Sequence, residues 1–290
     1  MVQHCFSPTA RFIHRLSADE RGLLLKAAPS ATPGPDLLPW YCGPHRVGWV
    51  SPERAHTLQQ QWPQCRWESG RLVWSASQES VEDRSQFLQQ WLIRQRDEGL
   101  LSGWRGEAYR YWSRPKYPPD PDEPGLFDCE RAGFRYLGMR SHAVHINGFA
   151  SDGDLWCGQR ALSKATDPGL LDSLSAGGLS AGQGIWTVLQ RELWEEAGLV
   201  IEQGQALQWL GSIDSCRPVP EGWQHETLWV FNLELGDDQV PSNQDGEVAR
   251  FLRLAPREVL ERVRAQAFTP DAVLALQIGL APASRQPHPA

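Results

Sequence analysis

The chain has 290 residues, of which 41% are hydrophobic and 22% charged, and its formal net charge is −7. These values are ordinary for a globular protein, and without a basic cluster we expect no nucleic-acid partner. The sequence has no apolar run of membrane-spanning length, and Met1–Ala10 lacks the continuous apolar core of a secretory signal. We therefore expect a cytoplasmic protein with no membrane partner. A small anionic substrate stays compatible with this charge, because a bound metal ion can supply positive charge locally.

The first hundred residues predict an α/β module. Ser17 precedes a capping-box-like helix start, and Ser51-Pro52 opens a second helix that runs to about Trp62. A third helix is predicted over Val81–Asp97, where the apolar residues fall on one side. Short strands at Arg46–Val50 and Arg71–Ser75 fit between these helices.

A proline-rich break, Tyr117–Gly125, separates this module from the rest of the chain. Four prolines in nine residues exclude a helix or a central strand there. We predict an N-terminal module over residues 1–120, a second domain over residues 121–282 and a disordered tail over residues 283–290.

The second domain predicts a sheet with helices. Strands at Ala143–Ala150 and Leu155–Ala161 flank a Ser-Asp-Gly-Asp turn, and a glycine-rich loop, Gly177–Gly184, precedes a helix that ends at Ala197. The remaining predictions are strands near Leu207–Ile213, Thr227–Leu235 and Val248–Leu254, and helices near Pro256–Ala265 and Asp271–Gly279.

The six cysteines lie far apart and form no Cys-x-x-Cys pair. This spacing fits neither a zinc site nor a disulfide framework in a chain of this length. We predict reduced, mostly packed thiols at Cys5, Cys42, Cys65, Cys129, Cys157 and Cys216.

Three glutamates on the predicted helix form the strongest candidate site. Glu192, Glu195 and Glu196 stand at i, i+3 and i+4, so their carboxylates share one helix face within an arc of roughly 100°. Such like charges repel, and a divalent cation with oxygen ligands, such as Mg²⁺, removes the repulsion. Leu189 and Leu193 form an apolar pair that can hold the helix to a core.

A solvated acidic helix face would produce the same glutamate spacing. Two neighbouring features favour a site instead. Gly177 and Gly178 stand before the helix, where glycine lets backbone groups approach a phosphate or a metal ion closely. Gly198 then ends the helix, as glycine commonly does.

This pattern resembles the Nudix box, in which glycine, glutamate, Arg-Glu, an aliphatic residue, Glu-Glu, glycine and an aliphatic residue keep fixed spacings. The corresponding positions here are Gly177, Gln183, Arg191-Glu192, Leu193, Glu195-Glu196, Gly198 and Leu199. Gln183 departs from the pattern, because the family has a glutamate there; the amide keeps an acceptor oxygen but has no charge. The resemblance implies a Nudix α/β/α sandwich with a mixed sheet, preceded here by the small α/β module.

The resemblance also implies a diphosphate hydrolase that uses Mg²⁺ or Mn²⁺. The implied metal ligands are Glu192, Glu195, Glu196, the Gly177 carbonyl and Glu247, and the implied catalytic residues are Glu196, Glu195, Glu247 and Arg191. Glu247 is included because the family often supplies a further acid from a loop before a late strand. An ordinary exposed turn glutamate is the alternative for this residue.

A longer resemblance covers most of residues 10–275. It looks like the Nudix proteins related to the domain joined to thiamine pyrophosphokinase in some eukaryotes, with matching stretches at Gly99–Tyr109 and Gln159–Gly169. It implies thiamine diphosphate, or its oxidised forms, as the substrate. Arg160, Lys164, Gly177 and Gly178 are the candidate substrate-binding residues, and Trp156 and Trp194 are candidates for stacking on a ring.

Other functions stay open at this stage. His145 and Asn147 lie on one strand, and either a pocket or a structural role fits them. An isopentenyl diphosphate isomerase is excluded, because the stretch after Gly169 lacks that family's catalytic cysteine and His-Pro element. An ADP-ribose or NADH pyrophosphatase and a non-catalytic binding module, the latter motivated by Gln183, are the alternatives. The oligomeric state is not predicted, with a homodimer among the options.

Overall fold

Three β-sheets, of four, seven and two strands, organise the chain in the computed structural model, which describes residues 7–26, 30–76, 79–113, 119–201 and 207–281. Cys5, the predicted tail and the first two residues of the proline-rich break lie outside these ranges. No helix of the described residues is long and apolar enough to span a membrane.

The first half of the chain forms the first sheet and several helices. Its elements are α1 (Pro8–His14), α2 (Ala18–Leu24), β1 (Leu38–Cys42), β2 (His45–Val50), α3 (Pro52–Gln61), β3 (Cys65–Glu68), β4 (Arg71–Trp74), α4 (Val81–Asp97), β5 (Ala108–Tyr111), β6 (Phe127–Glu130) and α5 (Ala132–Tyr136). The first sheet has four strands in the order β2-β1-β4-β3.

Tryptophan rings fill the centre of this first half. Trp62 meets Trp40, Trp74 and Trp91 edge-on, with ring centroids 5.0–5.4 Å apart. Edge-to-face contacts of this kind stabilise a core beyond the area that the rings bury. We call this cluster, which extends from Trp40 to Met139 and includes side chains of β5, β6 and α5, the N-terminal core.

The second sheet has seven strands and is mixed. Its main order is β11-β12-β7-β8-β13, with β10 paired to β7 and β9 paired to β8. The β12–β7 pair is parallel and the other pairs are antiparallel. The elements are β7 (Arg140–Ala150), β8 (Leu155–Arg160), β9 (Leu171–Asp172), β10 (Ser175–Gly178), α6 (Ile185–Ala197), β11 (Leu207–Val219), β12 (Gly222–Leu235), β13 (Val248–Leu254), α7 (Pro256–Arg264) and α8 (Pro270–Leu280).

Helices cover both faces of this sheet, as expected for an α/β/α sandwich. Val144 and Ile146 of β7 pack with α6, whereas Ala143 packs with α8 on the other face. The alternation follows from the two-residue period of a strand. The predicted fold class is therefore confirmed.

The predicted elements agree with the structure to within a few residues. The Ser17 capping box is present, and α4 covers the predicted residues Val81–Asp97. Several short elements were not predicted, namely α1, β1, β3, β5, β6, α5, β9 and β10. They are too short for a periodic pattern to form, so their presence depends on tertiary packing.

The domain boundary at residue 120 stays a prediction. Phe127 and Phe134, which follow it in sequence, belong to the N-terminal core, and Phe12 of α1 packs on Phe149 of β7 with ring centroids 5.7 Å apart. Each half of the chain thus contributes side chains to the core of the other half.

The cysteines that the structure describes are free, and all but Cys216 are buried. Burial raises the pKa of Cys42 to about 11 and that of Cys65 to about 12, because a thiolate is poorly solvated in an apolar core. These thiols pack as small apolar groups.

Candidate active site

Helix α6 carries the candidate carboxylates, and its position depends on two buried leucines. Leu189 and Leu193 pack with strands of the mixed sheet, and Gly198 ends the helix with φ of +63°. Glu192 and Glu196 are only 9% and 8% exposed, whereas Glu195 is half-exposed. A solvated acidic helix face is therefore the wrong interpretation of Glu192 and Glu196.

Strand β10 brings two glycines against these side chains. A Cβ atom on Gly177 would lie 1.9 Å from Oε1 of Glu192, and one on Gly178 would lie 1.6 Å from the hydroxyl of Tyr109. Neither position can hold a larger residue without a shift of its neighbour. The glycines thus allow a carboxylate and an aromatic hydroxyl to touch the backbone of β10.

The two buried carboxylates have raised pKa values. Burial raises the pKa of Glu196 to about 8, assisted by the negative charge of Glu192 and opposed by a hydrogen bond from the Ala176 amide at 2.8 Å. Burial also raises the pKa of Glu192 to about 7, against the opposing effect of Arg191. Two acids that are costly to ionise side by side are suited to a divalent cation, which stabilises both charges.

Arg191 lies against the same carboxylates. Its NH1 group is 2.7 Å from Oε1 of Glu192 and 3.0 Å from Oε2 of Glu195. Its Nε atom is buried without a hydrogen-bond partner, as is Oε1 of Gln183. Each of these residues therefore has one buried polar atom without a partner, which is energetically unfavourable.

Glu247 lies at the start of β13 and forms an ion pair with Lys164. The predicted turn before it is present, since Oδ1 of Asp245 accepts a hydrogen bond from the Glu247 amide at 2.8 Å and Gly246 has φ of +85°. The negative charge of Glu247 contributes to the raised pKa of Glu192, after burial and the charge of Glu195.

The structure brings the predicted metal ligands to one region, but does not assemble them as a complete cluster. Within the described part of the chain, no three acidic, histidine or cysteine side chains are grouped as a ready metal site. Arg191 lies on Glu192 and Glu195, and Lys164 lies on Glu247. Three of the predicted metal-ligand carboxylates are thus paired with cationic side chains in the structure.

Arg160 supports the loop beside the site. Its NH1 group pairs with Oδ2 of Asp172 at 2.8 Å, and its Nε and NH2 groups donate to the Thr166 carbonyl. These contacts fix the loop that carries Lys164. Both cationic residues also line the adjoining cavity.

A cavity of about 200 Å³ opens beside β10 and is lined by polar residues from both halves of the chain. His145 lines it, whereas Asn147 donates to Oδ1 of Asn232 at 3.0 Å and to the Ala275 carbonyl under α8. Of the two open roles, the structural one is therefore correct for Asn147. The cavity lining also includes Ser102, Tyr109, Arg131, Phe134, Arg135, Arg217, Glu226 and Asp271.

Neither Trp156 nor Trp194, the two candidates for stacking on a ring, lines this cavity. Trp156 packs against the core beneath α6 and Trp194 is exposed, while the aromatic rings in the lining belong to Tyr109 and Phe134. Sequence reasoning used the stretch Gly99–Tyr109 for the resemblance but assigned it no role. A tyrosine far from the box gave no local signal of its place in the cavity.

Comparisons with known proteins show which families and proteins the chain is similar to. Residues 139–275 match the NUDIX domain family, and residues 25–141 match a domain of unknown function, DUF4743. The chain is 35% identical over 181 residues to Nudix hydrolase 24, chloroplastic, of Arabidopsis thaliana, covering 60% of this chain and 47% of that protein. It is also 35% identical over 175 residues to Nudix hydrolase 20, chloroplastic, of the same plant, covering 59% and 45% respectively.

The chain spans about half the length of these curated relatives. Among solved structures, it is similar to DR0079 from Deinococcus radiodurans, with 22% identity and a TM-score of 0.45. That alignment covers 59% of this chain and 97% of the other.

Proposed function

We propose that the chain is an enzyme that hydrolyses a diphosphate linkage, because residues 139–275 match the NUDIX domain family. One observation carries the proposal. The buried carboxylates Glu192 and Glu196 meet the backbone of β10 at the edge of a cavity that Arg160 and Lys164 line. Carboxylates beside cations are suited to bind a metal ion and phosphate groups together.

The metal ion of the proposal is Mg²⁺ or Mn²⁺. Its proposed ligands are Glu192, Glu195, Glu196, Glu247 and the Gly177 carbonyl. When bound, the metal supplies a water of lowered pKa and neutralises charge on the diphosphate. The raised pKa values of Glu192 and Glu196 support this assignment, because burial makes it costly to ionise both carboxylates and a bound cation would offset that cost.

The cationic residues have a defined part in this proposal. Arg191 and Lys164 pair with carboxylates in the structure, and with a metal ion on those carboxylates both side chains would be available to bind oxygens of the diphosphate. Glu192 and Tyr109 fill the space that side chains at Gly177 and Gly178 would occupy, so the proposed contacts of these two residues with the substrate are made by their peptide groups. Glu247, released from Lys164, or Glu195 accepts the proton of the attacking water.

The proposed substrate is thiamine diphosphate or its oxidised derivatives, cleaved to the monophosphate. The support is the resemblance to the domain joined to thiamine pyrophosphokinase, together with the aromatic rings of Tyr109 and Phe134 in the cavity. Glu226 and Asp271 also line this cavity. Since carboxylates can stabilise the positive thiazolium ring, the lining does not favour the neutral oxidised ring over the intact one.

The test is a comparison of kcat/KM for oxothiamine diphosphate, thiamine diphosphate, ADP-ribose and NADH, with Mg²⁺ and with a chelator. We expect metal-dependent release of the monophosphate from the two thiamine compounds. If ADP-ribose or NADH is preferred by more than about tenfold, roughly 1.4 kcal/mol of transition-state stabilisation, the thiamine assignment is wrong. The chain is then a nucleoside-diphosphate pyrophosphatase.

A non-catalytic binding module is the second candidate, favoured by the unsatisfied Oε1 of Gln183. This candidate predicts that the protein binds a diphosphate compound in calorimetry but releases no product with either metal ion. Product release in the same preparation would exclude it.

The compartment and partners also stay proposals. We propose a cytoplasmic enzyme that acts on a small diphosphate, without a nucleic-acid or membrane partner. The word chloroplastic in the names of the Arabidopsis relatives applies to those proteins. Fractionation of the native host and size-exclusion chromatography test the location and the homodimer respectively.

A further inference from the structure

The N-terminal core forms one wall of the cavity beside helix α6. Tyr109 of β5, and Arg131 and Arg135 at α5, line this wall. The opposite wall comes from the loop that carries Arg160 and Lys164 and from β10. The substrate site of the Nudix domain is therefore bounded by side chains that the predicted N-terminal module and the segment after it supply together.

Backbone contacts hold this wall against the loop of residues 179–184, which lies between β10 and α6. Tyr109 forms an isolated antiparallel bridge with Ser180, and the Ala181 amide donates to the Ala108 carbonyl at 2.8 Å. The Tyr109 hydroxyl sits over Gly178, where a side chain would collide with it. Strand β5 is thus bridged to the loop before α6, and the two cannot move apart without breaking these contacts.

Two carboxylates reinforce the same junction. Glu107 accepts hydrogen bonds from the Ser180 hydroxyl and from NH1 of Arg131, the latter at 2.6 Å. Glu130, which is 1% exposed, accepts from the amides of Arg105, Gly106 and Glu107 at 2.9–3.1 Å. A buried carboxylate with three amide donors rigidly fixes the short loop that it binds.

The arginines of the lining differ in whether a carboxylate already neutralises them. Arg131 pairs with Glu107, Arg160 with Asp172, and Arg217 with two aspartates. Arg105, which is exposed, and Arg135, which is half-buried, form no ion pair in the ranges that the structure describes, and Arg135 donates to the Thr166 hydroxyl at 2.8 Å. Its guanidinium therefore keeps both its charge and further N–H groups for a ligand.

We propose that Arg135 binds an anionic oxygen of the substrate, next to the loop that carries Lys164. The inference rests on the proposed function in so far as the ligand is a diphosphate. An arginine held by one hydroxyl presents a planar array of donors, which suits a phosphate oxygen better than a lysine does. Specificity in this chain would then depend on a residue of α5, outside the box.

The experiment compares Arg135→Gln with Arg94→Gln, a control on the exposed face of α4. Two quantities are measured: KM and kcat for thiamine diphosphate, and the Kd of methylenediphosphonate, a non-hydrolysable diphosphate, by calorimetry with Mg²⁺ present. We expect Arg135→Gln to raise both KM and Kd about tenfold with kcat within about twofold of wild type. Arg94→Gln should leave all three unchanged, and Arg135→Lys should recover part of the loss.

The outcomes separate this inference from the proposed function. If the wild type hydrolyses the substrate and Arg135→Gln has normal KM and Kd, the inference is overturned and the proposed function stands. If the wild type hydrolyses nothing in the panel but binds methylenediphosphonate, and Arg135→Gln weakens that binding, the inference stands and the proposed function fails. Absence of methylenediphosphonate binding by the wild type overturns the inference. Circular dichroism of each variant verifies its fold, and Arg135→Lys provides the reading if the glutamine variant unfolds.

Discussion

Replacement of Glu196 by glutamine tests the candidate site through both activity and stability. In the folded protein the pKa of Glu196 is raised to about 8 by burial, from an ordinary value of 4.5. The folded state therefore binds the proton more tightly than the unfolded state does. As pH rises from below 4.5 through 8, the protein without metal ions loses stability, and the loss is complete above about pH 8.

The size of this loss follows from the two pKa values. Each tenfold difference in proton affinity is worth about 1.4 kcal/mol, so the ionised Glu196 destabilises the fold by up to about 5 kcal/mol at pH 9. Glutamine cannot ionise, and its amide oxygen can still accept the hydrogen bond from Ala176. Its amino group needs a new partner, so we expect a net stabilisation of about 1–3 kcal/mol at pH 9 and almost none at pH 5.

The assay is thermal unfolding of wild type and Glu196→Gln at pH 5 and pH 9 in a chelator, followed by turnover with Mg²⁺. The expected stabilisation corresponds to a rise in Tm of about 2–6 °C at pH 9 only. Turnover should fall by at least about a hundredfold, or ~2.7 kcal/mol, because a proposed metal ligand is lost. Glu261→Gln on the exposed face of α7 is the matched control. Unaltered turnover in Glu196→Gln, or a change in Tm equal at both pH values, would refute the reasoning.

Three further predictions address neighbouring residues. Gln183→Glu should raise Mg²⁺ affinity or kcat, because it adds the negative charge that the Nudix box has at this position. In the present chain Gln183 and Arg191 each have a buried polar atom without a partner. A metal titration with unchanged affinity and kcat would contradict this prediction. The apparent affinity for Mg²⁺ should fall as pH drops below about 8, because protons compete with the metal ion for Glu192 and Glu196, whose pKa values are about 7 and 8. A calorimetric Kd for Mg²⁺ that does not change between pH 6 and 9 would argue against these ligands. Leu193→Ala should reduce the free energy of unfolding by about 2–5 kcal/mol in urea denaturation, because it leaves a cavity where a fully buried side chain packed; a loss under about 1 kcal/mol would show that α6 is not anchored there.

Helix α6 is the part of the molecule that local sequence determines most completely. The spacing of Glu192, Glu195 and Glu196 on one helix turn, the apolar pair Leu189 and Leu193, and the terminal glycine predict α6 and the residues it presents. These features act over three to seven residues, so they need no knowledge of the rest of the chain. The same is true of α4 and of the capped start of α2, whose signals lie within one or two turns.

Tertiary packing decided which residues lie against the side chains of α6. The burial of Glu192 against Gly177 follows from the antiparallel pairing of β10 with β7, which joins segments that have no local relation in sequence. His145 and Asn147 share a strand face by their spacing, yet only His145 reaches the cavity, because α8 covers Asn147. A strand's alternation defines its faces but not which neighbour covers each part of a face.

The cavity wall from the N-terminal core lay furthest beyond sequence reasoning. Tyr109 and Arg135 belong to elements of four and five residues, too short for a periodic pattern, and they reach the box loop from positions far upstream of it. Contacts between such distant segments depend on how two cores pack together. The sequence alone therefore determined the carboxylate helix and the fold class, whereas the pairing of distant strands and loops decided which cations and rings surround the cavity beside β10.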